Sequence, residues 1–298
     1  MIPRTPAAFI AMHAHPSQEE IDQQVRAALQ EDVGSGDLTA TLVPLKQTAR
    51  ATLISREAAV VCGNAWIQSV FRELDPEVSI EFRLADGDAI QSGETWCILS
   101  GRARGILTGE RTALNFAQLL SGTATAARRM VDETVGTKAR LLDTRKTIPG
   151  LRLAQKYAVR CGGASNHRIG LYDGILIKEN HIRAAGSIRA AVSLALKQGK
   201  TCPMVEVEVE TLDELKEALA AGAPRILLDN FSLDEMRAAV TIAAGRAELE
   251  ASGGVTMDTV RAIAQTGVDF VSCGQMTKDV RATDLSLQFA FDETASSH

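Results

Sequence analysis

Charged side chains follow the short apolar runs in the second half of this sequence. Arg145 and Lys146 come after the run ARLLD, Lys178 ends DGILIK, and His167 and Arg168 lie in the intervening loop ASNHRIG. Arginine binds planar carboxylates and phosphates through paired N–H donors, and lysine supplies a mobile point charge. Taken singly, such residues are usually solvated surface cations. Brought together, they would form a site for small polyanions.

Two carboxylates end neighbouring apolar runs. Glu208 lies in MVEVEV and Asp229 ends RILLD, where structural acids are uncommon unless they are paired. Acids opposite a basic cluster could hold Mg²⁺ on a phosphate substrate or stabilise a developing cation. Glu206 and Glu210 share the face of Glu208 by the two-residue period of a strand, so spacing leaves the choice among them open. We take Glu208 as the candidate.

Two small-residue loops precede predicted helices. One contains Ser252, Gly253 and Gly254, and the other contains Ser272 and Gly274. Backbone N–H groups left free near a helix N-terminus attract phosphate, which makes these loops candidate phosphate sites. For either loop alone, a plain turn is the simpler interpretation.

A regular alternation of strands and helices must position these residues. Such alternation builds a parallel sheet, because parallel neighbours need a crossover connection. In a barrel the carboxyl ends of the strands share one face, whereas an open doubly wound sheet spreads them along an edge. We count six strands instead of eight and predict an incomplete α/β barrel. The helices between the strands are predicted at 151–160, 185–199, 211–222, 231–245 and 256–267.

The first third of the chain has a mixed α and β pattern. Residues 17–31 carry apolar side chains at helical spacing, and 110–130 does the same. Residues 49–55 and 78–84 alternate like strands, with a further short strand in AAVVCG.

Composition excludes several classes of protein. The 298-residue chain has a formal net charge of −5, which gives no reason to expect a nucleic acid or an acidic membrane surface as a partner. No apolar run is long enough to cross a membrane. The five cysteines form no CxxC pair, so we expect reduced thiols in a cytoplasmic protein.

Several segments together resemble the quinolinate phosphoribosyltransferase family, also called nicotinate-nucleotide pyrophosphorylase. They are, in order, ERTALNFAQLLSGTAT, DTRKTIPGLRLAQKYAVRCGGASNHRIGLYDGILIKENHI, EVEVETLDE, ILLDNFS and EASGGV. The resemblance implies that quinolinate and phosphoribosyl pyrophosphate are converted to nicotinate mononucleotide, pyrophosphate and carbon dioxide in de novo NAD synthesis. It implies Mg²⁺ with the pyrophosphate substrate and no organic cofactor.

The resemblance also implies an architecture. An N-terminal α/β sandwich domain over 1–115 is expected, with the C-terminal segment 279–298 packing back on it, and an α/β barrel over 116–278. The family forms a homodimer in which each N-terminal domain covers the barrel mouth of the partner, and assembly beyond the dimer stays open.

Roles follow from the resemblance by motif position. Arg145, His167, Arg168 and Lys178 would surround the two carboxylates of quinolinate, with Arg111 reaching the same site from the neighbouring subunit. Lys146 would contact both substrates as a catalytic residue, together with Glu208 and Asp229, which would face the ribose and its Mg²⁺-pyrophosphate. The residues expected to bind the 5′-phosphate are Ser252, Gly253, Gly254, Ser272 and Gly274.

The sequence departs from the family pattern in one place. The family commonly ends its barrel with a segment like GALTHS, and here Lys278 stands where a histidine is usual. A cation is retained, so we expect Lys278 still to contact phosphoribosyl pyrophosphate. Two alternatives remain at this stage. One is a related enzyme of the same fold from molybdenum-transport operons, and the other is a non-catalytic phosphate-binding barrel.

Overall fold

The computed structural model describes residues 16–198 and 204–291, which group into two compact units. Within these residues, the first unit comprises 16–126, 149–163 and 280–291, and the second comprises 127–148, 164–198 and 204–279. The ends of the predicted N-terminal domain and C-terminal segment, 1–15 and 292–298, lie outside the described residues. The domain bounds drawn from the sequence stay a prediction.

The first unit contains a four-stranded antiparallel sheet. In spatial order it runs β12-β1-β5-β3. A further pair, β2 with β4, stands apart from it. The strands are β1 (Thr48–Ser55), β2 (Ala59–Val60), β3 (Ser79–Phe82), β4 (Ala89–Ile90), β5 (Thr95–Arg102) and β12 (Leu285–Phe291). The edge strand β12 comes from the C-terminal segment of the chain.

Helices cover the apolar side of this sheet. The first helix begins with a capping box between Ser17 and Glu20, and it buries Ile21, Val25 and Leu29 at four-residue spacing. Trp66 and Trp96 are fully buried in the same core. The helices are α1 (Gln18–Asp32), α2 (Asn64–Leu74), α3 (Ala103–Thr134), which ends in the second unit, and α4 (Arg152–Cys161).

The second unit is built on one parallel sheet of six strands, as predicted. The spatial order is β6-β11-β10-β9-β8-β7, and in the described part of the chain the outer strands β6 and β7 do not pair with each other. The incomplete six-stranded α/β barrel is therefore confirmed. The strands are β6 (Arg140–Leu142), β7 (Ile175–Ile177), β8 (Val205–Val209), β9 (Arg225–Asp229), β10 (Glu248–Ser252) and β11 (Phe270–Ser272).

The helices of the second unit differ from the predicted ones in two places. Gly186, in a left-handed conformation, ends a short helix over Glu179–Ala185 that the sequence analysis did not predict, and the helix predicted over 185–199 begins at Ile188. The helix predicted over 256–267 is shorter in the structure, because residues 257–259 form a turn and Gly267, with a φ of 92°, lies beyond its end. The helices are α5 (Glu179–Ala185), α6 (Ile188–Gln198), α7 (Leu212–Ala220), α8 (Leu233–Ala243), α9 (Val260–Ala264) and α10 (Gln275–Lys278).

No helix formed by the described residues is long and apolar enough to cross a membrane.

Candidate active site

The carboxyl ends of the six parallel strands carry nearly all of the predicted site residues. Because the strands of the second unit are parallel, these ends lie on one edge of the sheet. An additional bridge between Leu142 and Ser165 places the loop ASNHRIG beside β6. The site residues on or just after the strand ends are Arg145, Lys146, Lys178, Glu208, Asp229, Ser252, Gly253, Gly254, Ser272 and Gly274.

The loop after β6 contacts the loop after β11. The backbone carbonyl of Lys146 accepts a hydrogen bond of 2.7 Å from the hydroxyl of Thr277. A Cβ atom added at Gly274 would lie only 3.0 Å from Cδ of Lys146, so glycine leaves room for the lysine side chain. The chain therefore brings Lys146 next to the loop after β11, which the sequence analysis named as a candidate phosphate site.

The loop after β10 packs closely on the end of β9. Gly253 has a φ of 95°, and a Cβ there would lie 2.1 Å from Oδ1 of Asn230. Asn230 also has a positive φ, 57°, and its side-chain amide donates to Oδ2 of Asp229 at 3.0 Å. Glycine is thus required at 253 by both backbone conformation and space. The contact fixes Asp229 beside the loop of Ser252 to Gly254.

Glu208 and Lys178 form an ion pair at the ends of the neighbouring strands β8 and β7. The lysine side chain is about half exposed (49%), whereas that of Glu208 is 14% exposed. The pair therefore lies at the open edge of the sheet. It places one predicted quinolinate ligand beside one predicted catalytic acid.

The loop that contains His167 and Arg168 is held in place by a buried acid, Asp143. Asp143, at the end of β6, accepts from the backbone N–H of His167 at 2.8 Å and from the side-chain amide of Asn166 at 2.6 Å. The guanidinium of Arg168 donates to the carbonyl of Gly174 at 2.9 Å. Both His167 and Arg168 are largely buried.

Beneath this edge lies a group of buried ionisable side chains that the sequence analysis did not identify as a group. His167 Nε2 lies 2.9 Å from Oε2 of Glu206 and 3.6 Å from Oε1 of Glu250. Nε of Arg225 lies 3.1 Å from Oε1 of Glu206, and its terminal nitrogen contacts Glu250. We call these four residues, His167, Glu206, Arg225 and Glu250, the buried quartet.

The pKa values of the two acids in the buried quartet are shifted in opposite directions. Burial raises the pKa of Glu206, but the Arg225 guanidinium and the His167 ring outweigh burial and bring it down to about 2. Burial and the neighbouring Glu206 carboxylate raise the pKa of Glu250. Glu206 is therefore the ionised partner of the histidine at neutral pH.

The remaining cations of the prediction are exposed. Arg145 and Lys146 lie at the surface of the second unit, and so does Lys278, which pairs with Asp279. Arg111 is exposed on α3, within the first unit.

The missed members of the quartet did leave a signal in the sequence. Glu206 is in phase with Glu208 along VEVEVE, Glu250 is in phase with Glu248 along ELEAS, and Arg225 opens RILLD. An inward-facing charge in an otherwise apolar strand requires a buried partner. Which charges meet depends on the register between strands that are distant in sequence.

Comparison with known proteins agrees with this architecture. Residues 37–121 match the family described as quinolinate phosphoribosyl transferase, N-terminal domain, and residues 123–288 match its C-terminal domain. A probable nicotinate-nucleotide pyrophosphorylase (carboxylating) of Bacillus subtilis is 42% identical over 257 residues, covering 86% of this chain and 89% of the relative.

Solved structures show the same likeness. The nicotinate-nucleotide pyrophosphorylase from Francisella tularensis is 47% identical, with a TM-score of 0.91 over 93% of this chain and 99% of that one. The enzyme of that name from Ehrlichia chaffeensis is 38% identical, with a TM-score of 0.86 over 90% of this chain and 98% of the other. The resemblance inferred from the motifs is confirmed, and the chain belongs to the quinolinate phosphoribosyltransferase family.

Proposed function

We propose that this chain transfers the phosphoribosyl group of phosphoribosyl pyrophosphate to the ring nitrogen of quinolinate. The products are nicotinate mononucleotide, pyrophosphate and carbon dioxide, and the reaction is a step of de novo NAD synthesis. One observation carries the proposal. In a chain of this family, cations and acids from distant stretches of sequence lie on one edge of one parallel sheet.

The quinolinate side of the site is assigned to basic residues of β6, β7 and the loop between them. Arg145, His167, Arg168 and Lys178 form this side, and Arg111 joins them from the neighbouring subunit of a homodimer. Quinolinate carries two carboxylates, so several N–H donors are needed to replace its hydration. The ion pair of Lys178 with Glu208 supports the assignment, because it keeps a half-exposed lysine at the sheet edge.

The 5′-phosphate is assigned to the loops that follow β10 and β11. Ser252, Gly253 and Gly254 bind it from one side, and Ser272 and Gly274 bind it from the other. Both loops offer backbone N–H groups, which bind phosphate oxygens well. Outside these loops, Lys278 adds a cation for the pyrophosphate.

The reacting carbon of the ribose is assigned to the acids between the two sides. When pyrophosphate leaves C1, the carbon gains oxocarbenium character, and the carboxylates of Glu208 and Asp229 stabilise it electrostatically. Lys146 offsets negative charge on the departing pyrophosphate. Glu208 and Asp229 end adjacent strands and offer hard oxygen donors, so they fit Mg²⁺, directly or through water. The ion supplies further positive charge to the leaving group.

Decarboxylation follows from the bond that the ring nitrogen forms. Attack of the nitrogen lone pair on C1 leaves the pyridine ring quaternised and electron-poor. The electron pair of the adjacent C–CO₂⁻ bond then moves into the ring, carbon dioxide departs, and the ring carbon takes a proton. The main contribution of the protein is to hold together two polyanions that repel each other in water.

The activity is tested by a coupled assay for nicotinate mononucleotide. Purified protein is incubated with quinolinate, phosphoribosyl pyrophosphate and Mg²⁺, and product, pyrophosphate and carbon dioxide are measured in parallel. We expect the three in equal amounts. Binding of both substrates without any product would instead favour a non-catalytic phosphate-binding protein.

We further infer a cytoplasmic homodimer with shared active sites. The described cysteines are free thiols, which is consistent with a reducing compartment. If Arg111 completes the partner's site, a mixture of Arg111→Ala and Lys146→Ala subunits regains about a quarter of normal activity. This fraction follows because half of the dimers are hybrids, and each hybrid has one whole site. Failure to regain activity, with subunit exchange demonstrated by mass spectrometry, would contradict a shared site.

A further inference from the structure

The buried quartet has a charge arrangement that the proposed reaction does not by itself explain. Glu206 and Glu250 have no solvent exposure, and His167 and Arg225 are nearly buried. Burying two carboxylates and a guanidinium costs free energy that only close pairing offsets. Nothing in the chemistry at ribose C1 requires these groups, because they lie below the strand ends.

Arg225 binds one oxygen of each acid and leaves the other oxygen facing the histidine. Its guanidinium contacts Oε1 of Glu206 and Oε2 of Glu250, and it stacks on the ring of Phe270 at 3.9 Å from the centroid. The remaining oxygens, Oε2 of Glu206 and Oε1 of Glu250, both face Nε2 of His167. The arginine therefore aims both carboxylates at one ring nitrogen.

The other ring nitrogen determines where the proton sits. Nδ1 of His167 accepts a hydrogen bond of 2.8 Å from the backbone N–H of Arg168. A proton on Nδ1 would point directly at that N–H. Burial lowers the pKa of His167 and the carboxylates of Glu250 and Glu206 raise it, with a net upward direction. The opposing N–H of Arg168 nevertheless assigns a neutral ring with its single proton on Nε2.

This tautomer argues against a metal ion in the quartet. His167, Glu206 and Glu250 each have a possible ligand atom within 4.8 Å of the others. A histidine ligates a metal through an unprotonated nitrogen, and here Nε2 carries the proton. Arg225 also supplies the positive charge that an ion would otherwise bring.

We propose that Glu206, Arg225 and Glu250 are positioning residues that hold His167 in its Nε2–H tautomer. The His167 ring in turn accepts a hydrogen bond from the backbone N–H of Arg168. This bond fixes the backbone at Arg168 and so orients its side chain. His167 then contributes to quinolinate binding through Arg168 and not through a ring nitrogen of its own. This inference rests on the proposed function and refines the role of His167 within it.

Steady-state kinetics of Glu206→Gln test the positioning role. The amide loses the charge of the acceptor and turns an N–H toward Arg225, so about one charge-assisted hydrogen bond is lost. We expect KM for quinolinate to rise about tenfold, the equivalent of about 1.4 kcal/mol, while KM for phosphoribosyl pyrophosphate changes less than about twofold. Glu248→Gln is the control for loss of a charge near Arg225, because it makes the same change two residues before Glu250 on the same face of β10, and we expect it to leave both constants near normal.

A second variant keeps the test decisive if Glu206→Gln does not fold. Glu250→Gln alters the longer contact to the histidine, 3.6 Å, and we expect a smaller rise in KM for quinolinate in the same direction. The double variant His167→Ala, Glu206→Gln is expected to be no worse than His167→Ala alone, because both changes remove one contact. Unchanged quinolinate KM in both single acid variants, or independent effects in the double variant, would overturn the proposal.

The tautomer is measured without reference to activity. Nitrogen-15 NMR of labelled histidine distinguishes the Nε2–H, Nδ1–H and doubly protonated rings, and His167→Asn identifies the signal. We expect the Nε2–H form in the free protein and in the quinolinate complex. A ring that is doubly protonated with quinolinate bound, or a metal ion found on this ring, would refute the assignment. An inactive wild-type protein that still shows this tautomer would refute the proposed function alone.

Discussion

Replacing Gly253 by alanine should lower the free energy of unfolding of the second unit. The structure indicates two separate contributions to this loss. A side chain at a φ of 95° costs about 1–2 kcal/mol. The new Cβ would also lie 2.1 Å from Oδ1 of Asn230, so the asparagine must rotate. Rotation breaks the hydrogen bond from Asn230 to Asp229, which contributes about 0.5–1.5 kcal/mol. The total is about 1.5–3.5 kcal/mol.

Two further variants separate the two contributions. Gly254 has a φ of 61°, and a Cβ added there would meet open space. Gly254→Ala is therefore expected to cost only the backbone strain, about 1 kcal/mol. Gly253→Ala in an Asn230→Gly background meets no side chain at 230, so its cost should fall by about 1 kcal/mol relative to the wild-type background. Glycine suits the positive φ at 230 without strain.

The assay is urea unfolding followed by circular dichroism, with the KM for phosphoribosyl pyrophosphate measured on the same samples. We expect the order of stability to be wild type, then Gly254→Ala, then Gly253→Ala. The KM should rise most for Gly253→Ala, because the loop that we assign to the 5′-phosphate shifts with Asn230. Equal losses for the two glycine variants, or no relief from Asn230→Gly, would refute the reasoning.

Four other variants test separate parts of the structure. Lys146→Ala and Glu208→Ala should each lower kcat at least about a hundredfold with circular dichroism unchanged, and near-normal turnover in either would remove that residue from the mechanism. Gly274→Ala should press on the flexible Lys146 side chain, lowering turnover while the free energy of unfolding changes by less than about 1 kcal/mol. The hydrogen-bonded guanidinium of Arg102 holds the pKa of Asp75 below its usual range. Since the folded pKa is the lower one, the pair stabilises the fold above the unfolded pKa, and this contribution is lost as the pH falls. Asp75→Asn should therefore lower the urea midpoint at about pH 7 and narrow its difference from wild type at about pH 3.

Much of the second unit could be predicted because its signals are local. Each strand of the sheet is a short apolar run, and a polar residue at its carboxyl end is adjacent in sequence to the strand that positions it. The ion pair of Lys178 with Glu208 follows from this logic, since β7 and β8 are neighbours. The six-stranded count and the parallel direction were predicted for the same reason.

The parts that sequence reasoning missed depend on distant contacts. The two-residue period placed Glu206 on the face of Glu208, but its partners His167 and Arg225 are set by strand register and by a loop between strands. The long helix α3 runs from the first compact unit into the second. Its helical pattern in the sequence does not mark the point where one unit ends. The short helix α5 was missed because its seven residues bury no side chain and so give no apolar periodicity.

The pairing of β12 with β1 has a consequence for biosynthesis. Ala49 lies opposite Phe291, so the sheet of the first unit is completed by a strand that is synthesised after the described residues of the second unit. While the intervening chain is being made, β1 presents an unpaired edge, which is a template for pairing with other chains. The second unit, which draws none of its described residues from beyond Asp279, can form earlier. Translation thus produces every strand of the parallel sheet before β12, so termination near residue 284 would leave this edge of β1 unpaired and yield an aggregation-prone product.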